Sequence, residues 1–419
     1  MAKSNLTIPK GWEKVSFGDV AKLRKGLTYK SSNYSDEYNG LVFLTLKSIM
    51  KGGGFNKKGI KYYLGNYDKS AVVQQGDLII ANTDITREAE VVGAPVFVPY
   101  LSEKPVIISM DLSAIDVDAE KIDKLFFYYL LRSNSARKFM RDQASGSTVL
   151  HLKTSNVPKF QFKLPIFPEQ KKIADILSSV DEEIQKIDNT ISETKKLKNG
   201  LMEDLFTKGV GHKKFKKTEY GYIPENWKVL ELEKLCTKIG DGLHGTPRYL
   251  GGSEFYFING NNISGRKITI YPGTKSISGE EYFLHKKDLT ARSILLSING
   301  TIGNIGFYNN EKVILGKSVA YINCDSSNNK EFIAYQLETR RITNYFSKSL
   351  TGTTINNLSL ATIRQTPVFV PEIEEQLEIV KILSSIDLKL SLGEELKTRL
   401  TQLKKGLISD LLSGKVRTI

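Results

Sequence analysis

Cysteine and histidine are scarce in this 419-residue chain: the two cysteines are Cys236 and Cys324, and the four histidines are His151, His212, His244 and His285. No CxxC or HxxxH spacing occurs among them, which argues against a structural zinc site or a disulfide framework. No run of about 18 apolar residues exists, and the N-terminal MAKSNLTIPKGW has no apolar stretch of signal-peptide length, so a soluble, intracellular, cytoplasmic protein is expected. Phosphate-binding loops are missing as well. Neither G-x-x-x-x-G-K-[ST] nor G-x-G-x-x-G is present: Gly316-Lys-Ser318 has Glu311 where the upstream glycine would stand. The run Gly300-x-x-Gly303-x-x-Gly306 has no helical pattern after it and reads as a β-turn region. The chain holds no Pro-Pro dipeptide, hence no Asn/Asp-Pro-Pro-aromatic motif of amino-methyltransferases. The expectation is a chain with no catalytic residue, no metal and no cofactor of its own.

What is present is positive charge, and it is segregated. The chain has 60 basic and 46 acidic residues, a formal net charge of +14. Residues 1–160 hold 23 basic and 16 acidic residues and 207–366 hold 22 and 13, whereas 161–206 hold 7 and 9 and 367–419 hold 8 and 8. Excess confined to two blocks, and missing from the stretches beside them, points to two separate nucleic-acid surfaces joined by near-neutral spacers.

The chain repeats itself. Ile8-Pro9-x-x-Trp12 returns as Ile223-Pro224-x-x-Trp227, and these are the two tryptophans of the chain. A second alignment, at offset 206, runs from Gly146-Ser-Thr148 against Gly352-Thr-Thr354 through Pro165/Pro371, Glu169-Gln170/Glu375-Gln376, Asp181/Asp387 and Gly200-Leu201/Gly406-Leu407 to Asp204-Leu205/Asp410-Leu411. Between these shared ends the two halves diverge, so the ends read as structural and the middles as individually specialised. After Pro165 and Pro168, the positions Ile173, Leu177, Val180, Ile184, Ile187 and Ile191 form a heptad seam that weakens at Thr194 and Lys198 and resumes at Leu201 and Leu205. The helix should run from about 169 to 206 unless it breaks near Gly200, a length of roughly 55 Å. The second copy carries Ile379, Leu383, Ile386 and Leu390, and its leucines then predict a shift of register through Leu392, Leu396, Leu400, Leu403, Leu407 and Leu411, with Gly393 as a point of irregularity. Helices this long overhang a domain of about 160 residues, so each is expected to pair with the other.

In the first middle, Leu41–Leu44, Val72-Val73, Leu78–Ile80 and 94–99 read as strands, followed by one helix over 121–140. In the second, 255–258, 268–271, 293–297, 313–315 and 319–322 read as strands, with one helix near 330–347. Both are mixed α and β. Residues 44–70 carry six lysines against the single acid Asp68, interleaved with Phe55, Tyr62, Tyr63 and Tyr67; this suits phosphate plus base contact, and equally a solvated face over core aromatics. The stretch 207–222, with five lysines and three glycines, reads as a linker.

Taken together, Pro165-x-x-Pro-Glu-Gln170-x-x-Ile173 leading into Ile-Leu-Ser-Ser-Val-Asp181, its copy ending at Asp387, Thr218-Glu-Tyr-Gly-x-Ile-Pro-x-x-Trp227, Asp241-Gly-Leu-His-Gly-Thr-Pro-Arg-Tyr249, Asn82-Thr-Asp84-x-x-Arg87 and Gly352-Thr-Thr354 resemble recurrent phrases of the specificity subunits of type I DNA restriction-modification systems. The resemblance covers nearly the whole chain. It implies an α+β fold in which two mixed α/β target-recognition domains are joined by two long antiparallel coiled-coil-like helices as a pseudo-twofold tandem repeat. Domain boundaries follow: recognition domain 1 at 1–160, spacer helix 1 at 161–207, linker and recognition domain 2 at 208–366, and spacer helix 2 at 367–419. It also implies a subunit without catalytic residues that reads a bipartite double-stranded DNA target. Two modification subunits carrying S-adenosylmethionine would dock on it, and motor-nuclease subunits using ATP and Mg would join for cleavage. Two alternatives stay open: a specificity subunit of a modification-only or single-cut system, and a duplicated DNA-binding regulator.

Candidate DNA-contacting residues are Lys25, Lys57, Lys58, Lys61 and Arg87 in the first block, and His244, Arg248, Asn261, Arg266, Lys267, Asn299 and Lys317 in the second. Lysines position phosphates, whereas Arg and Asn can pair bidentately with guanine and adenine edges. Candidate partner-interface residues are Ile176 and Leu197, each one position before a seam residue, and their copies Ile382 and Leu403.

Overall fold

A computed structural model describes residues 8–37, 39–351 and 356–419. The repeat members Gly352 to Thr354 therefore lie outside the described residues. The chain packs as two compact units, one of residues 1–188 with 395–419, the other of residues 189–394. Both divisions fall inside long helices, Phe167–Lys208 and Ile373–Ser413, of 42 and 41 residues. Each unit thus holds a strand-rich block, the first half of the helix that follows that block, and the second half of the other helix.

In the first unit a four-stranded antiparallel sheet has the order Ala21–Lys25, Leu112–Val117, Leu78–Ala81, Pro95–Phe97. Leu78–Ala81 is apolar throughout because it is buried on both faces. A second sheet places Leu41–Leu44 parallel to Val106–Ile108. Glu13–Ser16 pairs with Gln161–Leu164 and brings the chain to the helix start. The second unit repeats this plan: Cys236–Asp241, Val319–Cys324, Ser293–Ser297 and Ile305–Phe307 form the antiparallel sheet, Phe255–Ile258 runs parallel to Val313–Leu315, and Lys228–Glu231 pairs with Pro367–Val370. The middles that share so little sequence share one fold.

The repeated residues at the block ends have identifiable work. Trp12 Nε1 donates to Glu169 at 2.8 Å, and Trp227 Nε1 to Glu375 at 2.9 Å. Gln170 accepts from Asp123 N at 2.8 Å and donates to Pro165 O at 2.9 Å; Gln376 accepts from Asn329 N at 2.9 Å and donates to Pro371 O at 3.1 Å. Each Glu-Gln pair therefore fastens a long helix to its own block. The apolar face completes the attachment: Ile173 and Leu177 join Phe126, Phe127 and, from the second helix, Leu411 and Leu412; Ile379 and Leu383 join Trp227, Phe332 and, from the first helix, Met202, Leu205 and Phe206.

Several expectations are corrected. The single helices of 121–140 and 330–347 are each two, Lys124–Arg132 with Asn134–Asp142 and Lys330–Leu337 with Arg340–Lys348. Ser133 and Thr339 interrupt them because each leaves the helix to accept the N–H three residues on, capping the next helix. The stretch 207–222 is more than a linker: the helix continues to Lys208, Val210 N and His212 Nε2 bind Glu375 at 2.9 and 2.8 Å, and Phe215–Thr218 pairs with Gly221–Pro224 as a hairpin. The strand expected at 268–271 is reduced to Lys267–Ile268. Neither Gly200 nor Gly393 breaks its helix.

The second helix does not shift register either. Leu392, Leu396 and Leu403 are exposed, and the inward seam runs through Gly393, Lys397, Leu400 and Lys404. Within the first unit Lys404 pairs with Asp181, and Lys397 with Asp188 at 2.6 Å; within the second, Lys198 pairs with Asp387 at 2.6 Å and Lys195 with Glu394 at 2.9 Å. These pairs run antiparallel in each unit. Gly393 is small because a Cβ there would stand 3.1 Å from Ile191 Cγ1. Thr194 is buried, so the seam persists where its apolar pattern weakens.

Candidate nucleic-acid interface

Four of the residues nominated in the second unit, His244, Asn261, Asn299 and Lys317, cluster through the connections at one edge of its block. The strand Cys236–Asp241 leads into Gly242 and Leu243; Gly242 N donates to Val319 O at 3.1 Å and Leu243 N to Leu315 O at 2.7 Å. A Cβ on Gly242 would stand 2.2 Å from Leu315 O, so only glycine permits this approach. His244 therefore lies beside the turn 316–318 that carries Lys317. Gly316 N donates to Ile258 O at 2.8 Å, and Gly260 N to Ser318 Oγ at 3.0 Å, which joins the turn bearing Asn261. Ile298 N donates to Ser318 O at 2.9 Å, which adds Asn299. His244, Asn261 and Lys317 are exposed and Asn299 is half-buried. His244 Nε2 is 2.6 Å from Asp241 Oδ2, which orients the ring. Lys267 and Arg248 are exposed, but among the described residues no bond places them on this cluster.

Arg266 is drawn elsewhere and leaves the set of candidates. Its guanidinium donates bidentately to Glu338 at 3.2 and 2.5 Å, lies 3.6 Å from Asp387 on the second long helix, and stacks on Tyr335 with its Cζ 3.5 Å from the ring centre. Burial opposes its charge, but Glu338 and Asp387 outweigh burial and hold it above its ordinary value. Glu338 occupies the position that Arg132 holds in the first copy, so Arg266 restores the cation that the first unit already has beside Asp181.

The first unit repeats four of these backbone bonds. Gly26 N donates to Leu112 O at 3.1 Å and Leu27 N to Ile108 O at 2.8 Å; Ser109 N donates to Leu44 O at 2.9 Å, and Asn82 N to Asp111 O at 2.7 Å. Leu27 bridges Ser109 in parallel as Leu243 bridges Gly316. Thr45 and Ser48 close a reciprocal cap, and so do Asn259 and Asn262. The counterparts of His244, Asn261 and Lys317 are therefore Thr28, Lys47 and Met110, all exposed. None of these three was nominated from sequence, because the middles do not align; the dipeptides Gly26-Leu27 and Gly242-Leu243 were the available signal.

The nominated residues of the first unit are exposed: Lys25 ends a strand, Lys57 and Lys58 begin a helical turn, and Lys61 opens a strand. Lys57 and Lys58 adjoin Lys47 through Asn56, whose Nδ2 donates to Lys47 O at 2.8 Å. Arg87 sits on a loop organised by buried Asp84, which accepts from Thr86 N and Oγ1 at 2.7 Å each, Val91 N at 2.5 Å and Val92 N at 2.7 Å. Burial opposes ionisation of Asp84, but these bonds prevail and hold its carboxyl below the usual range. Buried Arg137 closes the loop from behind, donating to Val92 O at 2.6 Å and Glu90 O at 2.9 Å; burial, with Arg141 close by, pulls its guanidinium down to about 10. The motif Asn82-Thr-Asp84-x-x-Arg87 is thus largely scaffolding that presents Ile85 and Arg87.

Of the partner-interface candidates, Ile176, Leu197 and Leu403 are exposed, while Ile382 is half-buried against the second unit's core. Leu377, Leu388, Leu392 and Leu396 add exposed apolar area on the second helix that the sequence assigned to its seam or left unremarked. Among the described residues no group of His, Cys, Asp and Glu could hold a metal, and no helix is long and apolar enough to cross a membrane.

A family model described as "Type I restriction modification DNA specificity domain" matches the chain twice, over residues 9–195 and 224–402. The chain is 29% identical to the specificity subunit of the type I restriction enzyme MjaVIII of Methanocaldococcus jannaschii, across 98% of this chain and 94% of that one. It is 24% identical to the EcoBI specificity subunit of Escherichia coli, across 90% and 79%. Among solved structures, a chain from work on complex assembly and conformational transition of the type I R-M system has a TM-score of 0.59 at 18% identity, covering 98% of this chain and 100% of that one. The type I S subunit of M. genitalium has a TM-score of 0.57 at 16% identity, covering 98% of each; these two share its fold.

Proposed function

This chain belongs to the type I restriction modification DNA specificity domain family, and on that premise we propose that it is the DNA-recognition subunit of a restriction-modification complex, reading a bipartite target with one half-site per unit. The carrying observation is the duplicated loop framework: the same backbone bonds present Thr28, Lys47 and Met110 in one unit and His244, Asn261 and Lys317 in the other. One scaffold with different side chains suits two half-sites of different sequence. Lys25, Lys57, Lys58, Lys61, Lys267 and Lys317 would hold phosphates, and Arg87, Arg248, His244, Asn261 and Asn299 would reach base edges.

The chain itself binds no cofactor and breaks no bond. S-adenosylmethionine belongs to two partner modification subunits, and ATP and Mg to partner motor-nuclease subunits. The exposed leucines and isoleucines of the long helices, Ile176, Leu197 and Leu403 among them, supply apolar area for the modification subunits. The test is co-expression with the modification subunit and sequencing of methylated adenines. One split motif, absent when this chain is omitted, is expected; a single contiguous motif, or methylation by this chain alone, overturns the proposal.

A further inference from the structure

Lys317 and Met110 stand at the same point of the same three-residue turn, between the parallel strand that ends at Leu315 or Ile108 and the antiparallel strand that begins at Val319 or Leu112. In the second unit the position carries a cation, as a nucleic-acid surface would lead one to expect. In the first it carries an apolar side chain 39% exposed. That exposure is not the looseness of a floppy loop. Met110 N donates to Leu27 O at 2.8 Å, and Met110 O accepts from Asn82 Nδ2 at 3.0 Å, so both its backbone polar groups are bound. Its neighbours are bound as well: Ser109 N to Leu44 O at 2.9 Å, and Asp111 O to Asn82 N at 2.7 Å. The Asp111 carboxylate receives Thr83 Oγ1 at 3.3 Å and Ser109 Oγ at 3.4 Å. A turn pinned at every residue presents one apolar group to solvent at a fixed point, joined through Leu44 to the turn that carries exposed Lys47.

An apolar side chain among phosphate-binding groups has one apolar feature to read on a base edge in the major groove, the C5-methyl of thymine. We propose that Met110 is a specificity-determining residue of the first half-site and packs against a thymine methyl group. The inference rests on the recognition role proposed above. Met110 works by van der Waals contact and exclusion of water, and the backbone bonds around it fix which base step it meets.

The test uses the full complex with its modification subunit and DNA carrying the target found by methylome sequencing. Each thymine of the first half-site is replaced singly by deoxyuridine, which pairs identically and lacks only the methyl. Burial of one methyl group predicts that at one position the replacement weakens binding about fourfold. The Met110→Ala complex should bind thymine and deoxyuridine DNA at that position equally, and Lys317→Ala should leave the discrimination intact. Met110→Leu should retain most of it, which separates contact from folding. A first half-site without thymine, no deoxyuridine effect in it, or an effect that persists in Met110→Ala overturns the inference, as does an effect abolished by Ile85→Ala instead. Failure of the recognition role itself is distinguishable, because no split methylation motif would then appear, and that outcome removes this inference with it.

Discussion

Removing the two partners of the ion pair between Asp181 and Lys404 should have unequal consequences. Asp181 accepts from Lys404 Nζ and from Tyr129 Oη, the latter at 2.9 Å, and lies 3.8 Å from Arg132. The Lys404 side chain is 9% exposed, whereas the Asp181 side chain is 33% exposed. Burial, with Arg132 nearby, holds the Lys404 ammonium below the usual lysine range even though Asp181 pulls the other way. Lys404→Met therefore removes an ill-solvated cation and leaves Asp181 with Tyr129, Arg132 and water; the change in stability should stay within about 1 kcal/mol. Asp181→Asn leaves the buried ammonium beside Arg132 with no counter-charge. Broken buried pairs cost about 3–5 kcal/mol, and partial exposure of this carboxylate reduces the expected loss to about 2–3 kcal/mol. Urea unfolding of the full chain in a Trp227→Phe background leaves Trp12 as reporter of the same unit. At a slope of about 1–3 kcal/mol/M, Asp181→Asn should lower the midpoint by roughly 1–2 M, with Lys404→Met close to the parent. A lysine with a lowered folded-state pKa penalises the native state fully well below that pKa, and the penalty is relieved as pH rises through it towards the ordinary lysine range. The stability of Lys404→Met relative to the parent should therefore decline at alkaline pH. Equal losses from the two substitutions would refute the reasoning, because attraction rather than desolvation would then dominate the pair.

Asp84→Ala should free the loop 84–92 at a local cost of about 2–3 kcal/mol, seen as faster hydrogen exchange there and weaker methylation of sites that depend on the first half-site. Arg266→Ala should destabilise the second unit by roughly 3 kcal/mol with little change in the salt dependence of DNA binding, whereas Lys317→Ala should lower the salt slope by about one and leave stability unaltered. Glu169 is buried, which opposes ionisation, yet bonds from Arg417, Trp12 and Thr418 hold it below the usual carboxylate range. Its stabilisation is present above the ordinary glutamate pKa and lost as pH falls through the lowered one, so Trp12 emission should change on acidification in the parent and not in Glu169→Gln.

The duplicated ends were legible in the sequence because each repeated residue has a particular chemical task. An indole N–H needs Glu169 or Glu375, and a strand-to-helix junction needs the amide of Gln170 or Gln376, so substitution leaves a buried donor unpaired. The leucines of the second helix do not mark its seam, because leucine is a good helix former on either face and Leu392, Leu396 and Leu403 are exposed. The inward positions, Gly393 opposite Ile191 and Lys404 opposite Asp181, look polar or empty until the partner helix is known. Length and heptad spacing were enough to place both helices, but the partner decides which stripe is the seam.

The recognition blocks were hardest to read because their shared framework is made of backbone bonds, which constrain few side chains. Gly242 and Gly26 are exceptions, since any Cβ there would strike a carbonyl of the adjoining strand. Elsewhere the strands need only apolar residues of suitable size, and the exposed turn positions need only differ between units. That freedom separates Lys317 from Met110 and Asn261 from Lys47 on one scaffold, and it also hid Arg266, whose charge suggested DNA while its partner Glu338 lay 72 residues away. Charge on a basic chain is thus a poor guide to individual contacts. A half-buried cation with a half-buried carboxylate in reach, as Arg266 has in Glu338, is committed to the fold, and one on a pinned turn without such a partner remains available to a phosphate or a base.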